Sequence, residues 1–354
     1  MQSHCRSLVV LVAACVAAQL LTMSGQEFEG VRITRSDSRA RVDIVIDGQP
    51  FTSYLYPASL KKPVLFPIRT AAGILVTRGF PLEPRPRERV DHPHHVGLWF
   101  NHGDVNGLDF WNHSDAIAGD RVEKMGTIRH RSIVRAEGGA DRGDLIVESE
   151  WTRPDGFVLL VERTHFVFRG ASNVRTIDRL TTLTAGSERV VFRDSKEGAL
   201  GLRVSRELEQ PAAKPEVFTD AAGRPSAVPV LDNTGVTGRY LSSEGLKDEA
   251  VWGTRGRWMM LTGSVNGQHV TVGMLDHPAN PGFPGYWHAR GYGLFAVNPL
   301  GRKSYDDKQA ELHFTLQPGE AVVFRHRVLV ADGWMTAEDL NRAQKEFAAV
   351  RPGQ

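Results

Sequence analysis

Five of the thirteen histidines of this 354-residue chain lie in one short segment, residues 91–113. The segment reads DHPHHVGLWFNHGDVNGLDFWNH. Imidazole and carboxylate groups move protons or bind metal ions, and each needs a partner when it is buried. A concentration of such groups between glycines is hard to explain by packing alone. The segment is therefore the first candidate for a functional site.

Two kinds of chemistry suit this histidine-rich segment. His94 and His95 are candidate proton donors in a polar cleft. In an extended chain His92 and His94 would point the same way, so His92, His94 and His102 are also a candidate ligand set for one divalent metal ion. No His-Glu-x-x-His signature occurs in the chain. Proton transfer and metal binding therefore both stay open.

A second cluster begins at the tripeptide Asp-His-Pro of residues 276–278 and ends at Tyr-Trp-His of residues 286–288. Three prolines within it fix an extended path, and a rigid loop presents side chains without a later loss of conformational entropy. His277 and His288 are candidate catalytic residues. The alternative is a loop that only packs its aromatic residues over the end of a sheet.

A third cluster, residues 194–198, follows an apolar run and contains Lys196 beside Glu197. A neighbouring ammonium group tunes the pKa of a carboxyl group, so Glu197 could act as a general base with Lys196 stabilising negative charge. The alternative is a solvated turn. Across the three clusters the candidate substrate-binding residues are Trp99, Asp104, Trp111, Asp194, Asp276, Tyr286 and Trp287.

The elements that must position these clusters are mostly strands. Period-two alternation and turn residues predict strands over residues 42–46, 51–56, 145–151, 157–168, 174–183, 189–193, 257–264, 269–275, 294–298, 310–316 and 321–330. Asp47 followed by Gly48 predicts that the first two form a hairpin. One helix is predicted from Thr336 to about Ala349, with Thr336 and Asp339 as a reciprocal cap. The fold class is therefore all-β, a large antiparallel β-sandwich with one C-terminal helix. Two long loops, 71–120 and 277–293, are expected to carry the site.

The N-terminus predicts export. A basic residue, an apolar run and small residues indicate a signal peptide over residues 1–25, followed by a domain over 26–335 and a helix and tail over 336–354. A lipoprotein anchored at Cys15 is the alternative. Cys5 and Cys15 both lie in the leader, so the processed chain would have no thiol chemistry. A net charge of +2 without long charged blocks argues against nucleic acid as a partner.

Four motifs together resemble the bacterial family of unknown function long labelled methane oxygenase PmoA. They are HPHHxGLWF from residue 92, GDVNGxDFW from residue 103, DxKEG from residue 194, and DHPxN from residue 276 with YWH from residue 286. The resemblance implies that His92, His94, His95, His102, Asp104, Lys196, Glu197, Asp276, His277 and His288 occupy motif positions. The chain lacks the apolar spans of a membrane monooxygenase subunit after its leader, so methane oxidation is not inferred.

The residues 316–330 also resemble the end of galactose-mutarotase-type supersandwich domains, which implies a saccharide ligand by analogy. The leading hypothesis is an exported protein that binds a small-molecule or oligosaccharide substrate and processes it by His and Glu acid-base chemistry, through hydrolysis, elimination or epimerisation. The first alternative is a metal-dependent lyase or oxygenase that uses the histidine-rich segment. The second is a sugar-binding module without catalysis.

Overall fold

The computed structural model describes residues 29–350. The expected leader over residues 1–25, with Cys5 and Cys15, and the last four residues of the tail lie outside the described part of the chain. No helix within residues 29–350 is long and apolar enough to cross a membrane.

The described chain consists mainly of antiparallel strands. In chain order they are β1 (Val31–Ser36), β2 (Arg41–Ile46), β3 (Gln49–Leu55), β4 (Val64–Leu65), β5 (Leu98–His102), β6 (Thr127–Glu137), β7 (Gly143–Thr152), β8 (Val158–Ala171), β9 (Val174–Ala185), β10 (Val190–Phe192), β11 (Gly198–Arg203), β12 (Arg239–Ser242), β13 (Trp258–Val265), β14 (Gln268–Asp276), β15 (Tyr286–Arg290), β16 (Leu294–Asn298), β17 (Phe314–Leu316) and β18 (Ala321–Asp332). The α-helix is α1 (Ala337–Ala348).

Two eight-stranded sheets form the body of the protein. Sheet I has the strand order β1-β2-β3-β4-β5-β11-β16-β15, and sheet II has the order β12-β13-β14-β18-β9-β8-β7-β6. Strands β10 and β17 pair separately. Apolar side chains from the inner faces of both sheets form one core, which includes Phe100 and Leu202 from sheet I and Phe168 and Ile177 from sheet II. The predicted antiparallel β-sandwich is confirmed.

Local predictions that rest on turn and cap chemistry are also confirmed. Asp47 and Gly48 both have positive φ angles, 51° and 74°, and connect β2 to β3 as a tight hairpin. At the start of α1 the Thr336 side chain accepts from the Asp339 N–H, and the Asp339 carboxylate accepts from the Thr336 N–H. Leu340 of α1 then packs on an apolar cluster of sheet II.

The prediction of two long loops without strands is wrong. Strand β5 lies inside the first and β15 inside the second, and β11 was not predicted at all. Every residue of β5 and of β11 is buried, because both faces of sheet I are covered there. A strand that is buried on both faces has no alternation of polar and apolar residues, and the period-two signal disappears.

Candidate functional site

The candidate site lies on the outer face of sheet I, where four neighbouring strands align one residue each. Trp99 of β5 is opposite Gly201 of β11, Gly201 is opposite Ala296 of β16, and Ala296 is opposite His288 of β15. Successive residues of a strand point to opposite faces, so the neighbours of Trp99 enter the core while Trp99 points outward. Two small residues thus separate a large indole from an imidazole.

Trp111 fills the space above the two small residues. Its ring lies 5.2 Å from that of Trp99, edge to face, and 6.4 Å from the ring of His288, nearly parallel to it. A Cβ atom at Gly201 would lie 2.5 Å from the Trp99 ring and 3.1 Å from the Trp111 ring. Glycine is therefore required at this position for the two indoles to pack over β11.

A stack of parallel rings continues from Trp99. The Trp99 and His95 rings are 5.1 Å apart, His95 and His92 are 4.8 Å apart, and His92 and Tyr292 are 4.9 Å apart. Tyr292 lies in the turn between β15 and β16. We call Trp99, Trp111, His95, His92 and Tyr292 the aromatic layer. It connects the first and second sequence clusters at one surface.

A partly buried carboxylate anchors the stack. Asp91 accepts from His92 Nδ1 at 2.6 Å, from Arg203 Nη2 at 2.6 Å and from Arg78 Nη1 at 2.8 Å. Burial by itself would raise the pKa of Asp91, but the charges of Arg203 and Arg78 and the His92 hydrogen bond hold it well below its usual value. An ionised carboxylate only accepts, so His92 Nδ1 carries the proton and Nε2 is left for other contacts.

Glu197 and His288 form a pair at the other edge of the aromatic layer. His288 Nδ1 lies 3.7 Å from Glu197 Oε2 and 3.1 Å from the Lys196 carbonyl oxygen. Burial and the charges of Arg290 and Lys196 lower the pKa of His288 to about 3. Burial raises the pKa of Glu197, although the Lys196 charge opposes the shift. The pair is therefore a neutral imidazole beside a carboxylate that holds its proton more tightly than usual.

Cationic groups surround this carboxylate. Lys196 Nζ lies 3.8 Å from Glu197 Oε1. The positive charge of Arg290 also favours its ionised form. The Arg290 guanidinium lies over the Trp252 ring at 4.4 Å, and it makes no hydrogen bond or ion pair with any residue in the described range. Such groups stabilise negative charge that develops on a bound molecule.

The predicted metal set is not assembled. His92 has a φ angle of 45° and its carbonyl accepts from the His95 N–H at 2.9 Å, so the segment is a turn and the extended geometry expected for His92 and His94 does not occur. His102 points into the interior, where its Nε2 contacts the Arg193 carbonyl at 2.7 Å. Residues 29–350 contain no group of three or more His, Cys, Asp or Glu side chains that could hold a metal ion.

Three members of the second cluster lie away from Glu197. Asp276 is fully buried and accepts from Asn280 and from the Gly285 N–H, and burial raises its pKa to about 6. The ring of His277 packs edge-on against Phe347 of α1 at 5.0 Å. Trp287 points into the core. These contacts indicate structural roles for Asp276, His277 and Trp287 in place of the predicted catalytic and binding roles.

Three of the predicted substrate-binding residues lie at the periphery of the site. The Asp194 carboxylate accepts backbone N–H groups from residues 302–304 and 312 and so closes a loop. Asp104 caps a turn at Gly107. Tyr286 stacks on Tyr305 at 4.9 Å, and the Tyr305 hydroxyl donates to the Lys196 carbonyl at 2.6 Å. Tyr286 therefore supports the Lys196 segment from the side.

The sequence analysis missed several residues that complete the site, namely Asp91, Arg203, Tyr292, Arg290 and Trp252. Asp91 adjoins the histidine-rich motif, and an acidic neighbour of a histidine is a readable signal for an oriented imidazole. Tyr292 stands between two glycines in a turn, and only the strand pairing of β15 with β16 brings it to His92. Sequence offers no comparable signal for it.

Fold and site define an antiparallel β-sandwich protein with an acid-base pair beside an aromatic layer. The chain belongs to a family of unknown function, DUF6807, whose model matches residues 41–345. The resemblance to the family labelled methane oxygenase PmoA is wrong, since the matching family is DUF6807. No curated protein matches the chain.

Solved structures with a similar arrangement of strands include two sugar enzymes. A GH36 α-galactosidase, AgaB from Geobacillus stearothermophilus, has a TM-score of 0.41 and 11% identity, over 85% of this chain and 41% of the galactosidase. A putative aldose 1-epimerase from Escherichia coli K12 has a TM-score of 0.28 and 14% identity, over 86% of this chain and 99% of that protein. The chain thus spans less than half the length of the galactosidase. Similarities this weak do not identify a substrate or a reaction.

Proposed function

We propose that this protein is a carbohydrate-active enzyme that binds a saccharide on the aromatic layer and moves protons with Glu197, His288 and His92. The observation that carries the proposal is the pair of Glu197 and His288, 3.7 Å apart, at the edge of the layer. A sugar ring presents C–H groups that pack on aromatic faces and hydroxyl groups that need polar partners. The accessible members of the layer, His92 and Tyr292, present the ring faces, and Glu197, Lys196 and Arg290 present the polar groups.

The carboxyl and imidazole groups divide the chemistry between them. Glu197 would take a proton, either from a carbon atom in elimination or epimerisation, or from water in hydrolysis. A raised pKa makes its carboxylate a stronger base than an ordinary glutamate. His92, oriented through Nδ1 by Asp91, would deliver a proton from the other edge of the layer. Lys196 and Arg290 would stabilise negative charge on the substrate.

This assignment differs from the expectation that His94 or His95 is the acid. His95 is 1% exposed and lies inside the ring stack, with burial and neighbouring charges lowering its pKa well below its usual value. It cannot readily gain a proton or reach a substrate. His94 lies on the far side of the turn from Glu197. His92 is the most exposed imidazole of the three, with 41% of its side chain accessible.

The test is a panel of glycosides and keto-sugars incubated with the protein in D2O and followed by NMR. Deuterium at a sugar carbon with no bond cleaved would indicate epimerisation. Bond cleavage with a new C=C bond in the product would indicate elimination, and cleavage without one would indicate hydrolysis. We expect Glu197→Gln to lower turnover by about a hundredfold or more. Glu311→Gln is the matched control, because Glu311 also contacts a histidine, His313 at 3.1 Å, but half of its side chain is exposed, 51%.

Two results would overturn the proposal. Full activity of the Glu197→Gln variant on the substrate found would remove Glu197 from the chemistry. Saccharide affinity that depends on Tyr292, with no turnover by the wild type, would favour the sugar-binding module. Export from the cytoplasm is also proposed, and the N-terminal sequence of the protein isolated from its host would test the cleavage expected near residue 25.

A further inference from the structure

A cavity of about 360 Å³ borders the aromatic layer on the side away from Glu197. Residues before β4 and residues around Pro93 form its walls. The exposed area of the walls is mainly apolar, through Leu60, Val64, Pro81, Leu82, Pro93 and Val96. The polar residues of the lining include Lys62, His94 and His113, and the ion pair of Lys61 with Asp115 lies at the same cavity. Nothing in the proposed saccharide chemistry uses this cavity.

Lys62 is the unusual member of the lining. It is 4% exposed, and its Nζ donates to the His94 carbonyl oxygen at 2.9 Å and lies 5.5 Å from the centre of the Trp99 ring. A protonated amine has three N–H groups, and within residues 29–350 this one has a single hydrogen-bond acceptor and no ion pair. The adjacent Lys61 behaves in the ordinary way, paired with the exposed Asp115 at 2.6 Å.

This environment favours the neutral amine. Burial lowers the pKa of Lys62 to about 7, even though the charge of Asp109 opposes the shift. A buried charge with one neutral acceptor is costly, and loss of the proton removes the cost. A large share of Lys62 is therefore an uncharged nucleophile at neutral pH, whereas an exposed lysine is almost entirely protonated.

His94 places a second proton-transfer group beside the amine. Its Nε2 is buried and makes no hydrogen bond to any residue in the described part of the chain. The side chain lines the same cavity as Lys62. Burial, the largest cause, lowers the pKa of His94 far enough to keep it neutral. A neutral imidazole can accept a proton at one nitrogen and release one from the other.

We propose that Lys62 is a reactive amine that binds a small aldehyde or ketone with an apolar or aromatic substituent as an imine. The Nζ lone pair attacks the carbonyl carbon, and a proton passes from nitrogen to the carbonyl oxygen through His94. The C–O bond then breaks, the oxygen leaves as water with both amine protons, and the C=N bond forms. No oxidant or reductant is consumed. The site is independent of Glu197.

The test uses benzaldehyde as the probe, with the imine trapped by cyanoborohydride and the modified lysines located by peptide mass mapping of the folded full-length chain. At pH 7 the neutral fraction of an amine with its pKa near 7 exceeds that of an ordinary lysine by about a thousandfold. A less basic amine is less nucleophilic, so we expect Lys62 to be modified at least about tenfold faster than Lys61. Its rate should be half-maximal near pH 7.

The matched variants are Lys62→Arg, which removes the nucleophile and keeps the charge, and Lys61→Arg at the neighbouring position. The first should abolish the fast adduct and the second should leave it unchanged. The proposal is overturned if Lys62 in the wild type reacts no faster than Lys61, or reacts only after urea is added. Should Lys62→Arg fail to fold, the comparison of the two lysines within the wild type decides by itself.

Discussion

Replacing Asp91 with asparagine removes the carboxylate that joins Arg78 and Arg203 to His92 at the aromatic layer. Arg78 and Arg203 have fully buried side chains, 0% exposed, and both donate to the Oδ1 atom of Asp91. The neutral amide of asparagine keeps the shape and can still accept a hydrogen bond. The substitution therefore isolates the loss of charge.

The expected loss of stability follows from the two arginine charges that stay buried after the substitution. Removing one partner of a buried ion pair costs about 3–5 kcal/mol, because the other charge is left uncompensated. Glu209 remains near Arg203, at 3.8 Å, and offsets part of this loss. We therefore expect the Asp91→Asn variant to lose about 3 kcal/mol in the free energy of unfolding, the lower end of that range.

Urea unfolding of the wild type and the variant measures this difference, provided the slope with denaturant is unchanged. The control is Asp115→Asn, since Asp115 pairs with Lys61 at 2.6 Å but is 71% exposed. An exposed pair contributes about 0–1 kcal/mol. If both variants lose less than about 1 kcal/mol, the buried network does not stabilise the site and the account of its anchoring by Asp91 fails.

Two further predictions concern pH and the indole nitrogens. Burial lowers the pKa of His95 well below its usual value and those of His288 and His326 to about 3. Below about pH 6.5 these histidines therefore bind protons in the unfolded chain but not in the native state. The free energy of unfolding should fall there by about 1.4 kcal/mol per pH unit for each histidine. The raised pKa of Asp276, about 6, offsets one of the three below that pH, and a urea midpoint that stays constant between pH 7 and pH 5 would contradict the prediction. Trp111 Nε1 has no partner in the described chain, so Trp111→Phe should change stability by less than about 1 kcal/mol. Trp151→Phe is its control in the same urea assay, because Trp151 Nε1 donates to Glu162 at 2.8 Å and its loss should cost about 2 kcal/mol or more; equal losses in the two variants would refute the distinction.

Sequence predicted the parts of the fold whose signal is local. The hairpin at Asp47, the capped helix at Thr336 and the alternating strands all depend on neighbours a few residues away. Strands β5 and β11 were missed because their burial on both faces is a property of the assembled sandwich. The prediction of the site was limited for the same reason. Its clusters were found, but which members meet at one surface depends on the strand order of sheet I.

The histidine-rich segment illustrates the limit most clearly. An extended chain would have pointed His92 and His94 the same way, but a turn at His92 leaves their rings edge to face at 5.6 Å and stacks His92 on His95 at 4.8 Å. The residues that decide this, Asp91 and Arg203, are 112 positions apart in the chain. No pattern in a short window can report a contact of that range.

Four buried nitrogens without a hydrogen-bond partner in the described part of the chain lie in the aromatic layer or at the cavity of Lys62. Trp99 and Trp111 Nε1 and His94 and His95 Nε2 are all buried without a hydrogen bond to any residue in the described range. Each such group costs about 1–3 kcal/mol, and four together approach the whole stability of a typical domain. A sandwich core requires none of them, since phenylalanine would pack there without the penalty. They are four of twenty such atoms in residues 29–350, and His94, which lines the cavity beside Lys62, is the one of the four that a molecule bound in that cavity would meet.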